Sequence, residues 1–306
     1  MGKTTIEWTD ETWNPLRGCS RESPGCMHCY AEQVARRFSG TGQPYEGLIQ
    51  FTAQGAKWTG VVRPVPEKLG APLLWKRPRA VFVYSMSDLF HPAVSFEYIA
   101  AVFGAMALAP AHVFQILTKR ASRMREFCQW LADEGSRVSG PQGLCITMFL
   151  VHVEALPERF APTAQRGVAS AGRWPLPNVL LGASVEDQRR ADARRDALRD
   201  VSQLGWKTWV SYEPALGAVD WSGWSFIDWM VSGGESGPKA RISRPEWHRA
   251  TRDWCEGAGV PYCFKQWGAW LPREREGQCT GFVNVGKRAA GRLLDGCLHD
   301  AMPLTA

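Results

Sequence analysis

Val179-Leu180-Leu181-Gly182-Ala183-Ser184-Val185-Glu186-Asp187 opens the most regular part of this sequence. Five small or apolar residues come first, the length of a buried strand rather than a helix. Ser184-Val185-Glu186 end the run. Asp187 to Leu204 then has helical length and composition, and Gly205 closes it. A second short apolar run, Lys207 to Val210, ends in Ser211-Tyr212-Glu213-Pro214. A strand, a helix and a strand in succession predict a parallel pair joined by a helical crossover.

The same rhythm extends in both directions. Upstream, Ala80 to Tyr84 reads as a strand ending in Ser85-Met86-Ser87-Asp88. A helix follows from Phe96 to Leu108, stopped by Pro110. His112 to Leu117 is a strand ending in Thr118-Lys119-Arg120. Ser122 to Asp133 is a helix with Ser122 as its expected N-cap and Gly135 beyond its end. Downstream, Phe226 to Val231 is a strand ending in Ser232-Gly233-Gly234-Glu235-Ser236-Gly237. Pro245 to Glu256 is a helix with Pro at its first turn and Gly257 after it. Val260 to Phe264 is the last strand, ending in Lys265-Gln266-Trp267-Gly268. Trp13 to Leu16 is the expected first strand.

Alternating strands and helices imply a parallel sheet with helices outside it. The expected fold is α/β: a full or partial (β/α) barrel of six to seven parallel strand–helix units. An open doubly wound sheet is the alternative. Residues 1–270 form the expected barrel domain, interrupted by an insertion at about 136–177. Residues 271–306 read as a C-terminal tail. Gly40 to Pro78, rich in Gly, Pro and Lys, reads as loops with a short helix near Glu67 to Leu69, and as a cover for a site.

Composition narrows the class. The 306 residues, 45% hydrophobic, suffice for a large core. No apolar run reaches the ~18 residues of a membrane span, and Met1 to Glu7 lacks a signal-peptide stretch. Nine cysteines without paired spacing favour a reducing compartment. A soluble cytoplasmic protein without membrane contact is the expectation. The formal charge is +6, with 27 arginines against 9 lysines. Arginine's planar fork suits phosphate, so a nucleic-acid partner is allowed; a GC-rich genome gives the same bias. The 15 tryptophans serve a core or stack on bases. The alternating acids and arginines from Asp187 to Asp200 read as a solvated helix laced by surface ion pairs. Single thiols such as Cys255 and Cys263 read as buried core residues.

The chemistry is densest in Gly18-Cys19-Ser20-Arg21-Glu22-Ser23-Pro24-Gly25-Cys26-Met27-His28-Cys29-Tyr30. Its spacing is C-x6-C-x2-C, in a Gly/Pro-containing loop. Three thiolates can hold three corners of an iron–sulfur cluster and leave one iron open. A closed zinc site wants four protein ligands, with His28 or a distant cysteine as the fourth. The expected strand ends add Ser85, Ser87, Asp88, Lys119, Arg120, Ser184, Glu186, Glu213, Glu235, Lys265 and Gln266. In a parallel barrel such residues converge on one mouth. Gly233-Gly234 either lets backbone approach a ligand or shapes a turn. No dinucleotide or phosphate-loop motif is present.

Ile6-Glu7-Trp8-Thr9-Asp10, Thr12-Trp13-Asn14-Pro15, Gly18-Cys19, Ser23-Pro24-Gly25-Cys26, Cys29-Tyr30-Ala31-Glu32, Thr118-Lys119-Arg120, Ser184-Val185-Glu186, Glu213-Pro214, Gly233 to Gly237 and Lys265-Gln266-Trp267-Gly268 carry a family resemblance. Together they are similar to the phage-associated three-Cys-motif family, a domain of unknown function that resembles radical S-adenosylmethionine (SAM) enzymes. Radical SAM enzymes use a partial (β/α) barrel with three cysteines after the first strand, most often as C-x3-C-x2-C. The resemblance implies a [4Fe-4S] cluster on Cys19, Cys26 and Cys29, with SAM on its open iron. An electron, from a flavodoxin- or ferredoxin-type donor, would split SAM to a 5′-deoxyadenosyl radical. His28 would face the adenine. Ser85 and Ser87 would lie near the SAM amino group, and Lys119, Ser184 and Glu186 near its carboxylate and ribose. A distant likeness to spore photoproduct lyase implies repair or modification of a DNA base or nucleotide. The competing expectation is a non-catalytic nucleic-acid-binding protein with a structural zinc or iron–sulfur site.

Overall fold

The computed structural model describes the chain except for residues 1–3, 5, 54, 155, 157, 161–172, 276 and 304–306. Its centre is a parallel sheet of seven strands that follow one another in chain order. They are β1 (Glu11–Trp13), β2 (Ala80–Val83), β3 (Val113–Thr118), β4 (Val179–Ser184), β5 (Lys207–Tyr212), β6 (Trp229–Gly233) and β7 (Tyr262–Gln266). The strands β1 and β7 do not pair, so the sheet is a half-barrel rather than a closed one. Helices flank it: α1 (Tyr30–Arg36), α2 (Phe96–Ala107), α3 (Ala121–Ser136), α4 (Gly140–His152), α5 (Gln188–Gln203) and α6 (Pro245–Ala258). Among the described residues no helix is long and apolar enough to cross a membrane.

The strand pattern divides the core into two faces. Val81, Val83, Phe114, Ile116, Leu181, Val210, Met230 and Phe264 point to the helices. Phe82, Leu180, Trp209, Trp229, Val231 and Cys263 point to the concave side, with Trp8 laid against them. Trp209 and Trp229 stack with centroids 5.0 Å apart. Trp8 meets both edge-on at 5.3 and 5.8 Å. Gly182 makes this packing possible. A Cβ there would lie 2.3 Å from the Trp209 indole nitrogen, which donates to the Ile116 carbonyl at 3.0 Å.

Several boundaries move from their expected places. The first strand ends at Trp13 because Asn14 turns to accept the Met86 N–H and Pro15 offers no donor. Helix α3 starts at Ala121, with Arg120 rather than Ser122 at its cap. Gly135 lies inside α3, not beyond it; a Cβ there would come 2.5 Å from the Pro141 nitrogen. Helix α6 ends on Gly259 with φ 69°, two residues past the expected Gly257. Gly40 to Pro78 holds an unforeseen hairpin, Ile49–Thr52 against Gly55–Trp58, besides the short helix at Pro66–Lys68.

The described part of 136–177 packs on the barrel. Helix α4 lies on α2, where a Cβ on Gly104 would be 2.2 Å from the Cys145 carbonyl oxygen. Residues 161–172 of that segment lie outside the described residues. After Leu271 the chain forms an antiparallel hairpin, Trp270–Arg275 with Gln278–Asn284. It then returns to β7. Phe264 N–H donates to the His299 carbonyl at 2.9 Å, and Cys263 bridges Asp300. The exposed edge of β7 is thereby paired.

Substituting Gly182→Ala tests the concave packing. The new methyl meets a ring already fixed by its hydrogen bond, so the variant should lose ~1–3 kcal/mol. Urea unfolding should show a lower midpoint with an unchanged slope.

Candidate functional site at the mouth of the half-barrel

A cavity of about 460 Å³ opens at the C-terminal ends of the strands. Cys19, Cys26 and Cys29 form one wall. His28, Ser85, Ser87, Lys119 and Ser184 also line it, with Trp8, Phe82 and Leu117 as an apolar floor. Eight of the nine expected site residues therefore meet here. Glu186, the ninth, is fully buried behind Lys119.

The cysteine loop is clamped by three carboxylates from strand ends. Glu186, just past β4, accepts from Lys119 and from Arg194 at 2.7 Å. It also takes the Ser23 hydroxyl of the loop at 2.6 Å. Gly25 fits beside it because a Cβ would stand 2.5 Å from its Oε1. Burial pushes the Glu186 carboxyl up, but the Lys119 and Arg194 cations outweigh burial and hold it at about 2. Asp88, past β2, accepts from Thr118 and from Arg120, each at 2.8 Å. Arg120 passes the hold on to the Ser20 carbonyl at 3.0 Å and hydroxyl at 2.9 Å. Glu235, past β6, accepts from Arg241, whose guanidinium reaches the Pro24 carbonyl at 3.0 Å. His28 Nδ1 lies 3.1 Å from Glu235 Oε2. Burial would raise the Glu235 carboxyl, but the Arg241 and His28 hydrogen bonds keep it below the usual range.

Neutral His91 completes the second clamp. Burial and the Arg120 charge lower its pKa. Its Nδ1 accepts the Ala93 N–H at 3.2 Å, so the proton sits on Nε2 and is donated to the Ser20 hydroxyl at 2.8 Å.

The two serines after β2 have structural contacts. Ser85 exchanges hydrogen bonds with Asn14, and its carbonyl accepts from Tyr30. The Ser87 hydroxyl donates to the Leu16 carbonyl at 3.2 Å. Gly234 gives a different outcome from a ligand-contacting glycine. A Cβ there would be 2.0 Å from the Trp267 carbonyl, so its bareness serves the crossing of two chain segments.

Two site residues had no readable signal. Arg194 belongs to the helix expected to be solvated, yet it turns inward, donating to the Ser184 carbonyl at 2.7 Å and to Glu186. Eight residues beyond Glu186, it lies two helical turns into α5. Arg241 sits in a loop between β6 and α6 without a pattern of its own.

The thiols fit an iron–sulfur cluster in their chemistry. Burial pushes the Cys19 thiol up to about 12, while the Arg120 charge works the other way. Cys29 is raised mainly by burial. Such thiols stay protonated until a cationic group takes them as thiolates. The Glu22 N–H donates to Cys26 Sγ at 3.5 Å. Among the described residues no group of three or more His, Cys, Asp or Glu side chains could hold a single metal ion. His28, the loop's candidate fourth ligand, has turned one nitrogen to Glu235.

The class defined by this geometry is an α/β half-barrel protein with a cavity under a clamped three-cysteine loop. The chain belongs to the family described as Protein of unknown function (DUF5131), whose pattern matches residues 3–303. No curated protein and no solved structure matches it.

Replacing Glu186 with Gln should cost about 3–5 kcal/mol at neutral pH, because buried Arg194 and half-buried Lys119 lose their charge partner. The sign with pH follows from the lowered pKa. The carboxylate's contribution is complete above its ordinary value of 4.5 and is lost as pH falls toward about 2. The stability gap between wild type and Glu186→Gln should therefore narrow between those pH values, as read by urea unfolding at each pH.

Proposed function

We propose that this chain is a radical SAM-type enzyme, with a [4Fe-4S] cluster on Cys19, Cys26 and Cys29 and SAM beside it. One observation carries the reading: three thiols of one loop line a single cavity, and three strand-end carboxylates hold that loop over it. A purely structural knot would not require a cavity of this size beneath it. When bound, the cluster would supply a low-potential electron and an open iron for the amino-acid end of SAM.

The chain's own groups do the positioning. Lys119, partnered by Glu186, presents an ammonium at the cavity wall. Ser184 lines the wall on the next strand. Ser85 and Ser87 fix the turn after β2 against the segment that leads into the cysteine loop. His28, steadied by Glu235, presents an imidazole beside the cysteines. Trp8, Phe82 and Leu117 form the apolar floor under these groups. The proposed substrate is DNA or a nucleotide, and the proposed electron source is a flavodoxin- or ferredoxin-type protein.

Anaerobic reconstitution with iron and sulfide should give a brown protein with about four irons per chain, as a cubane requires. Adding SAM and dithionite should yield 5′-deoxyadenosine. Cys26→Ala should lose the iron and the product. Full iron content in that variant, or zinc in place of iron after anaerobic purification, would overturn the assignment.

A further inference from the structure

The cavity has a second polar wall, opposite the cysteine loop in the strand order. Ser184 and Ser211 sit side by side in register on β4 and β5. Beyond them, past β5 and on β7, Glu213 and Lys265 pair at 2.8 Å while both remain partly exposed. Gln266 locks Glu213 from behind at 3.1 Å and is itself held by the Gly234 carbonyl at 3.0 Å. Glu213 and Lys265 flank the strand end that carries Glu235, yet they bond each other and Gln266 rather than the cysteine loop.

The charges in the cavity are matched. Lys119 faces Glu186, Arg120 faces Asp88, Lys265 faces Glu213 and Lys287 faces Glu7. A site built for phosphate would leave cations over, since each phosphate needs positive charge or free N–H donors. This one offers donors and acceptors in pairs above an apolar floor. Lys265 uses one of its three N–H donors on Glu213, and the carboxylate keeps acceptor capacity. At the floor, Trp8 lines the cavity, and among the described residues its indole N–H is buried without a partner.

We infer that the Glu213–Lys265 wall binds an uncharged heterocycle carrying adjacent carbonyl and N–H groups, a nucleobase, with any phosphate held outside the cavity. This deepens the proposed function and rests on it for the chemistry that follows binding. Glu213 would accept from the ring N–H, Lys265 would donate to the carbonyl, and the ring body would rest over Trp8 and Phe82. The pair is thus specificity-determining.

Calorimetry on the reconstituted protein tests this. The ligands are thymidine and deoxyguanosine, whose bases carry a ring N–H beside a carbonyl and which leave aside the adenosine position that SAM would take. At least one should bind, and 10-fold excess inorganic phosphate should not displace it. Lys265→Met should weaken binding by about tenfold or more, the scale of one lost hydrogen bond in a buried site. Glu213→Gln, which keeps the shape and one of the two accepted hydrogen bonds, should do the same while remaining folded by circular dichroism. A thymidine hexanucleotide beside thymidine separates the two sources: tighter binding of the strand assigns a base within a polymer, equal or weaker binding a free nucleoside. No binding of any nucleoside, displacement by phosphate, or unchanged binding in folded Glu213→Gln would overturn the inference. Iron content and 5′-deoxyadenosine formation are read in the same samples. If they persist while nucleoside binding fails, this wall is misassigned and the cluster reading stands.

Discussion

A buried carboxylate organises the mouth of this half-barrel. Glu186 stands where β4 ends, and it joins three parts of the chain. Lys119 brings in the end of β3, Arg194 brings in α5, and Ser23 brings in the cysteine loop. A lone buried carboxylate would take up a proton; two cations and a hydroxyl make the charged form the stable one. Burying such a cluster is a poor way to gain net stability. It is an effective way to hold a loop in one place, because each partner must be present for the others to remain satisfied.

The same device recurs twice. Asp88 with Arg120 grips Ser20, and Glu235 with Arg241 grips Pro24. The loop is therefore held at its start and at its middle by groups from different strands. Residues 18 to 30 include no strand and only a single short 3-10 turn before α1. Their order comes from these side-chain clamps rather than from a backbone ladder, so the three thiols face the cavity only when the whole sheet is assembled.

Below the mouth, the sheet is filled by large aromatic rings that need bare backbone beside them. Gly182 admits Trp209, and Gly234 lets one segment cross beneath the Trp267 carbonyl. Gly104 lets α4 settle onto α2. The half-barrel leaves β1 and β7 unpaired with each other. On the β7 side the returning chain at 299–301 supplies the missing hydrogen bonds, and the Trp229 indole N–H donates to Ala301.

Much of this was legible beforehand from local pattern. The apolar runs from Ala80, His112, Val179, Lys207 and Val260 each became a strand, because a buried parallel strand must be apolar on both faces. The convergence of Cys19, Cys26, Cys29, Ser85, Ser87, Lys119 and Ser184 followed from the rule that parallel strands present their C-terminal ends together. What pattern could not reveal was partnership at long range. Arg194 looks like its neighbours on a helix rich in arginine, and only the position of Glu186 turns it inward. Arg241 has no periodicity to mark it. The return of residues 299–301 to β7 uses backbone groups that every residue carries. The sequence by itself determined the strand rhythm and which residue types gather at one end of the sheet, because both depend on local hydrophobic period. Only the tertiary structure decided which cation meets which carboxylate and how the cysteine loop is held, because those contacts join residues far apart in the chain.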